Sequence, residues 1–120
     1  NTIELFRRDT LEKKFLKLDN VIDEVVVLLG EIQDNLFQRA KSFNEKNTFF
    51  VDDFSTFQEK IKQGGFVLAH WDGTSDTENE IKKLTKATIR CIPTDVKKES
   101  GQCVFSGKPS VQRVVFAKSY

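Results

Sequence analysis

Two polar, glycine-bearing turns set between apolar runs constrain this chain more than any other feature. One is Ala69-His70-Trp71-Asp72-Gly73-Thr74-Ser75-Asp76-Thr77-Glu78, and the other is Gln102-Cys103-Val104-Phe105-Ser106-Gly107-Lys108-Pro109. A chain laid out in this way presents two knuckles to a single site. In a structural zinc centre such knuckles carry paired cysteines, because the ion takes four ligands in a tetrahedron. Here the candidate ligands are Cys103, His70 and a few carboxylates. The layout of a metal clip is present without its ligand set.

The 120 residues make one domain, or one domain with a piece of another. Hydrophobic residues reach 38% and include eleven Phe, enough to bury a core. The net charge is only +1, which argues against a wholesale polyanion binder. That balance hides an asymmetry: from Glu80 onward nine Lys or Arg stand against three acids, Glu80, Asp95 and Glu99. Such a surface is either a solvated face or one turned to an anionic partner such as RNA. No Met occurs at any position, so the chain is expected to begin partway through a longer polypeptide. No apolar run approaches the roughly 20 residues of a membrane span, and no signal peptide opens the chain. Cys91 and Cys103 are too few for a disulfide framework and read as reduced thiols in a cytoplasmic protein.

Taken in order, Thr2–Arg7 and Lys14–Leu18 flank a polar turn and predict a β-hairpin. Two strands alone are marginal in water, so this hairpin is expected to belong to a larger sheet upstream. Asp19 or Asn20 should cap a long helix whose apolar residues, from Val21 through Leu28, Leu29, Ile32 and Leu36 to Phe43, keep one stripe inward. Thr48–Val51 reads as a short buried strand, and Asp52 or Asp53 as the cap of a second helix that stops at Gly64-Gly65. The apolar run Phe66–Ala69 predicts a central strand. Ser75 and Glu78 form an expected capping box for a third helix ending near Thr85. A strand over Ala87–Ile92 stops at Pro93, and Cys103–Phe105 with Gln112–Lys118 should form a last hairpin. The fold class is therefore α+β: a two-layer βαβαββ domain with helices on one face of a mixed sheet, after a long helix and an N-terminal hairpin.

Three constellations could carry chemistry. His70, Asp72, Asp76, Glu78 and Cys103 could be assembled around a metal, but the chain has three N/S ligands in all, and Asp72 to Glu78 lacks calcium-loop spacing. A Cys–His nucleophile could use His70 with Cys91 or Cys103, though nothing in the spacing brings them together. Lys82, Lys83 and Lys86 share a helix side, and Arg90, Arg113 and Lys118 alternate on strands, a pattern suited to RNA phosphates and equally to solubility.

Several segments in order carry a resemblance. Leu36-Phe37-Gln38-Arg39-Ala40, Gly64-Gly65-Phe66-Val67-Leu68-Ala69-His70-Trp71, Ala87-Thr88-Ile89-Arg90-Cys91-Ile92-Pro93, Ser106-Gly107-Lys108-Pro109 and Val115-Phe116-Ala117-Lys118-Ser119-Tyr120 resemble the C-terminal end of prolyl-tRNA synthetases of the archaeal and eukaryotic type. The resemblance implies that residues 1–18 are the last strands of an anticodon-binding domain, 19–47 a connecting helix, and 48–120 a domain similar to the C-terminal fold of translation initiation factor three. It implies a parent that activates proline with ATP and Mg²⁺ for transfer to tRNA, a homodimer whose catalytic motifs lie outside these residues. The partners it implies are the catalytic and anticodon-binding domains of that enzyme and, through them, proline tRNA. Many members carry one Cys pair where Asp72 and Thr77 stand and another where Cys103 and Ser106 stand. Three of those four positions are not Cys here, which implies a degenerate, metal-free knuckle. The family also implies that the carboxylate end of Tyr120 packs back toward the catalytic domain near the proline pocket, with simple edge-strand packing as the alternative. A free-standing RNA-binding module using the basic residues 80–118 is the rival reading.

Overall fold

The structure is a computed structural model and describes residues 1–119. It divides into two compact units, one spanning Asn1–Phe43 and one beginning at Asn44.

In the first unit β1 (Thr2–Phe6) pairs antiparallel with β2 (Lys13–Lys17), with Ile3 opposite Leu16. A single 3-10 turn, Leu18–Asn20, leads into α1 (Val21–Lys46), with Asp23 and Glu24 in its first turn where the helix dipole favours anions. Asp19 and Asn20 thus lie in the 3-10 turn that precedes the long helix. The apolar stripe is only partly covered. Leu16 and Leu28 are buried and Val21, Val25 and Ile32 half-buried, but Leu29, Leu36 and Phe43 lie open. The reason is width: apolar residues cover more of the helix surface than the part this hairpin screens.

The second unit is built on a four-stranded sheet in the order β3-β4-β8-β5, from β3 (Thr48–Phe50), β4 (Phe66–His70), β5 (Ala87–Cys91) and β8 (Arg113–Lys118). β3 runs parallel to β4, and β8 runs antiparallel to both β4 and β5. The sheet is mixed, as the element order requires. α2 (Phe54–Gln63) and α3 (Ser75–Thr85) supply Phe57, Ile61 and Ile81 to one core with Val67, Ala69, Val114 and Phe116. Phe57 meets Phe116 edge to face at 5.0 Å, and both are fully buried. Burying a side chain of this size contributes about 1.5–3 kcal/mol. Asp53 caps α2 by accepting from Thr56 N–H at 2.7 Å. Gly64 and Gly65 turn the chain from α2 into β4 at φ 96° and 104°, where an L side chain is strained; a Cβ on Gly65 would also meet the Asn47 carbonyl.

Three expectations are corrected here. β3 is an edge strand with one neighbour, so Phe50 is exposed and only Val51, just past its end, is buried. Cys103–Phe105 is not a strand paired with the last one. It belongs to a turn closed by Cys103 N–H to Lys108 O at 2.7 Å and Gly107 N–H to Cys103 O at 3.0 Å. The local hairpin is instead β6 (Gly101–Gln102) with β7 (Pro109–Ser110), and β8 goes to the middle of the sheet because its Val114 and Phe116 complete the core. The third correction concerns the cap of α3. It is Thr74, whose hydroxyl accepts from Thr77 N–H, not Ser75 facing Glu78.

Candidate site at the paired knuckles and the basic ends

The shift of that cap by one residue follows from Asp72. Its Oδ1 accepts both the N–H and the hydroxyl of Thr74, at 3.0 and 2.8 Å, an Asx turn that sets Thr74 at the head of α3. Its Oδ2 accepts from Thr77 Oγ1 at 2.7 Å and from Ser106 Oγ at 2.6 Å. One carboxylate therefore ties the turn after β4, the first turn of α3 and the turn after β6 into a single knot. Burial pushes the Asp72 carboxyl up, but the hydroxyls of Ser106, Thr77 and Thr74 and the Thr74 N–H outweigh it. They hold the group well below the usual carboxylate range.

The structure thus brings Asp72, Thr77 and Ser106 together around the Asp72 carboxylate. Cys103, buried, sits in the same turn as Ser106 and holds it through backbone bonds. Trp71 donates its indole N–H to Thr74 O at 3.1 Å, and Phe105 packs edge to face on Phe54 at 5.2 Å. Asp76 and Glu78 lie in the first turn of α3, where they complement the helix dipole. No cluster of three or more His, Cys, Asp or Glu suited to a metal occurs among the described residues. The donor set at the knuckles is one carboxylate, two hydroxyls and one thiol, which fits zinc poorly.

His70 goes elsewhere. As successive side chains of a strand alternate, it points from β4 to the face opposite the helices, where it is buried. Its Nδ1 lies 2.9 Å from Ser110 Oγ, and Ser110 in turn donates to Gln112 O at 2.9 Å. Its Nε2 lies 3.5 Å from Glu99. Gly101 passes so close to the imidazole that a Cβ there would overlap the ring. The imidazole's partners among the described residues are thus Ser110 and Glu99 and not a cysteine: Cys91 is exposed at the end of β5, and Cys103 is buried in the other knuckle.

Among the basic residues, Arg113 does not stand free. Its guanidinium pairs with Glu99 and with Asp52 at 2.6 Å, and donates to Val51 O at 3.0 Å, so it clamps β8 to the chain after β3 and to the loop before β6. Arg113 holds the Glu99 carboxyl below its ordinary value. Arg90 donates to Ser119 Oγ at 2.6 Å and to Ala117 O. Lys83 pairs with Glu80 at 2.6 Å, and Lys82 is exposed in the last turn of α3. Lys86 follows that helix in the left-handed conformation at φ 60°, its N–H closing on Lys82 O. Lys83, Lys86 and Lys118 line a cleft with Lys62, a residue whose place there depends on the α2–α3 packing and has no short-range sequence signal. Thr74, Glu99, Gly101 and Ser110 likewise carry roles that spacing alone does not reveal. Tyr120 lies outside the described residues.

Comparison with known proteins agrees with this geometry. The family model described as "Prolyl-tRNA synthetase, C-terminal" matches residues 54–120. The proline–tRNA ligase of Porphyromonas gingivalis is 53% identical over 120 residues, covering 100% of this chain and 24% of that protein. That of Christiangramia forsetii is 52% identical over 120 residues, 99% of this chain and 24% of its own length. The solved prolyl-tRNA synthetase of Cryptosporidium parvum, complexed with halofuginone and AMPPNP, superposes with a TM-score of 0.90 at 28% identity, covering 99% of this chain and 26% of that one. The chain spans about a quarter of the length of the curated relatives it matches. With a matching family model, close sequence relatives and a shared fold, the chain belongs to the prolyl-tRNA synthetase C-terminal family.

Proposed function

We propose that the chain is the C-terminal quarter of a cytoplasmic proline–tRNA ligase and serves that enzyme as a non-catalytic structural and docking portion. The ligase joins proline to its tRNA with ATP and Mg²⁺ at a catalytic body outside these residues, and works as a homodimer. The observation that carries the reading is the 53% identity across all 120 residues with a ligase of which they make up 24%. Residues 1–18 then close an anticodon-binding domain, 19–47 form the connecting helix, and 48–120 form the C-terminal domain. The exposed apolar residues Phe15, Leu29, Leu36 and Phe43 suit docking against the rest of such an enzyme. Asp72, Thr77, Cys103 and Ser106 act as a metal-free knuckle. No helix among the described residues is long and apolar enough to cross a membrane.

The test is a chimera in which this chain replaces the corresponding quarter of the Porphyromonas gingivalis ligase. Proline-dependent ATP–pyrophosphate exchange and tRNA charging should both survive in the chimera, and the 120 residues alone should show neither. Exchange activity in the isolated chain, or a folded chimera without charging, overturns the proposal.

A further inference from the structure

We propose that the lysine-lined cleft where α2, α3 and β8 end binds backbone phosphates of RNA. The cleft has a volume of about 320 Å³, and four of its lining residues are Lys62, Lys83, Lys86 and Lys118. They come from the end of α2, the last turn of α3, the residue that closes α3 and the end of β8. Among the described residues no acidic side chain lines it. The floor is apolar, with Ile61 buried and Leu84 exposed.

The simple alternative is that these lysines only complement helix ends. Each helix C-terminus carries roughly half a negative charge, so two of them amount to about one. Lys83 is paired with Glu80. Lys62, Lys86 and Lys118 have no ion pair among the described residues. Three cations against about one negative charge leave a positive excess that the helix ends do not consume. Lys86 adds a second observation. It occupies the left-handed cap position where Gly or Asn is ordinary, so a cation stands at the cleft edge in a conformation that disfavours it.

The residue type narrows the ligand. Lysine is a point charge without the forked geometry that reads a base edge, so the cleft suits backbone contact and not sequence readout. Cations drawn from three elements fit a run of phosphates better than one small anion. The inference rests on the ligase reading in one respect: such an enzyme works on RNA.

The test titrates the 120-residue chain with a fluorescent tRNA transcript at two salt concentrations. The triple variant Lys62→Gln, Lys86→Gln, Lys118→Gln should bind about tenfold more weakly or worse, with the slope of log affinity against log salt reduced by roughly 2–3. A charge-matched control, Lys17→Gln, Lys41→Gln, Lys97→Gln, should lose less than about threefold. The Lys62→Arg, Lys86→Arg, Lys118→Arg variant should retain binding, which separates lost charge from lost fold. Equal loss in the cleft and control variants overturns the proposal. So does binding of inorganic phosphate in the cleft, followed by amide shifts, without competition from tRNA. A failure here alongside an active chimera leaves the ligase reading intact, whereas an inactive chimera with intact RNA binding removes that reading and keeps the cleft.

Discussion

Two aspartates do the same job in the two units with opposite kinds of partner. Asp9 closes the hairpin turn of the first unit: Arg7 holds both its oxygens at 3.1 and 2.8 Å, Asn35 of α1 donates at 2.7 Å, and Arg39 donates to its carbonyl. Arg7 also pairs with Glu31 of α1 at 2.8 Å. Asp72 closes the knuckles of the second unit with hydroxyls and one amide, and with no cation among the described residues. The partner carboxyls respond alike. Arg7 and Asn35 hold Asp9 well below its ordinary range against burial, as the hydroxyls hold Asp72. A carboxylate has room for about four donors, so it can gather loops through hydrogen bonds alone. What differs is the sensitivity of each knot to charge and to its environment.

The strongest way to break the comparison is to turn one knot into a metal site. With Cys103 in place, Asp72→Cys, Thr77→Cys and Ser106→Cys would give four thiols at two knuckles whose side chains already meet within hydrogen-bonding distance. The triple variant is expected to bind one zinc per chain by elemental analysis, and to melt well above its chelator-treated form, because structural zinc contributes folding free energy outright. A folded triple variant that leaves zinc in solution would show that the knuckles lack the spacing of a tetrahedral site. No comparable variant exists around Asp9, where the partners are an arginine and an asparagine reaching from another element.

A smaller effect tests how much the hydroxyl knot holds by itself. Asp72→Ala leaves the Thr74, Thr77 and Ser106 donors without their acceptor, and Thr77 is buried. The expected loss is about 1.5–3 kcal/mol, the range for hydrogen bonds to a charged group, read from urea unfolding with an unchanged slope. Asp72→Asn, which keeps one acceptor oxygen, should lose about half as much. A loss within about 0.5 kcal/mol, typical of an uninvolved surface position, would reduce the knot to decoration on an otherwise packed core.

Much of this was legible before any coordinates, and the misses share a cause. The helices, the strands at 66–70 and 87–91 and the Asp53 cap follow from periodicity and local capping chemistry, which depend on neighbours in sequence. The meeting of the two glycine-bearing turns at one place was also readable. That the Asp72 carboxylate is what joins them was not, because its four donors come from positions 74, 77 and 106. Thr74 instead of Ser75 at the helix head follows from the same contact. Arg113 looked like a surface cation on an alternating strand, yet Asp52 and Glu99 reach it across 61 and 14 residues. The insertion of Arg113–Lys118 between β4 and β5 is a long-range pairing, and an apolar alternation does not say which neighbour it will choose. Lys62 entered no basic pattern because only the packing of α2 beside α3 brings it to Lys86.

The smallest expected effect separates the two aspartates by pH and salt. Both folded carboxyls titrate below the unfolded value of about 3.9, so each knot is at full strength above that value. Each loses its contribution as pH falls through the folded value, since the unfolded chain takes up protons first. Wild-type stability should therefore fall steeply below about pH 4, and Asp72→Asn and Asp9→Asn should each flatten part of that fall. Salt then divides them. At pH 7 in 1 M salt, where charges are screened over about 3 Å, amide exchange across residues 8–12 should quicken because Asp9 depends on Arg7. Exchange across 72–77 and 103–107 should hold, because Asp72 is gathered by neutral donors. Equal quickening in both segments would mean that the knuckle depends on long-range charge after all, and the contrast between the two knots would be one of degree.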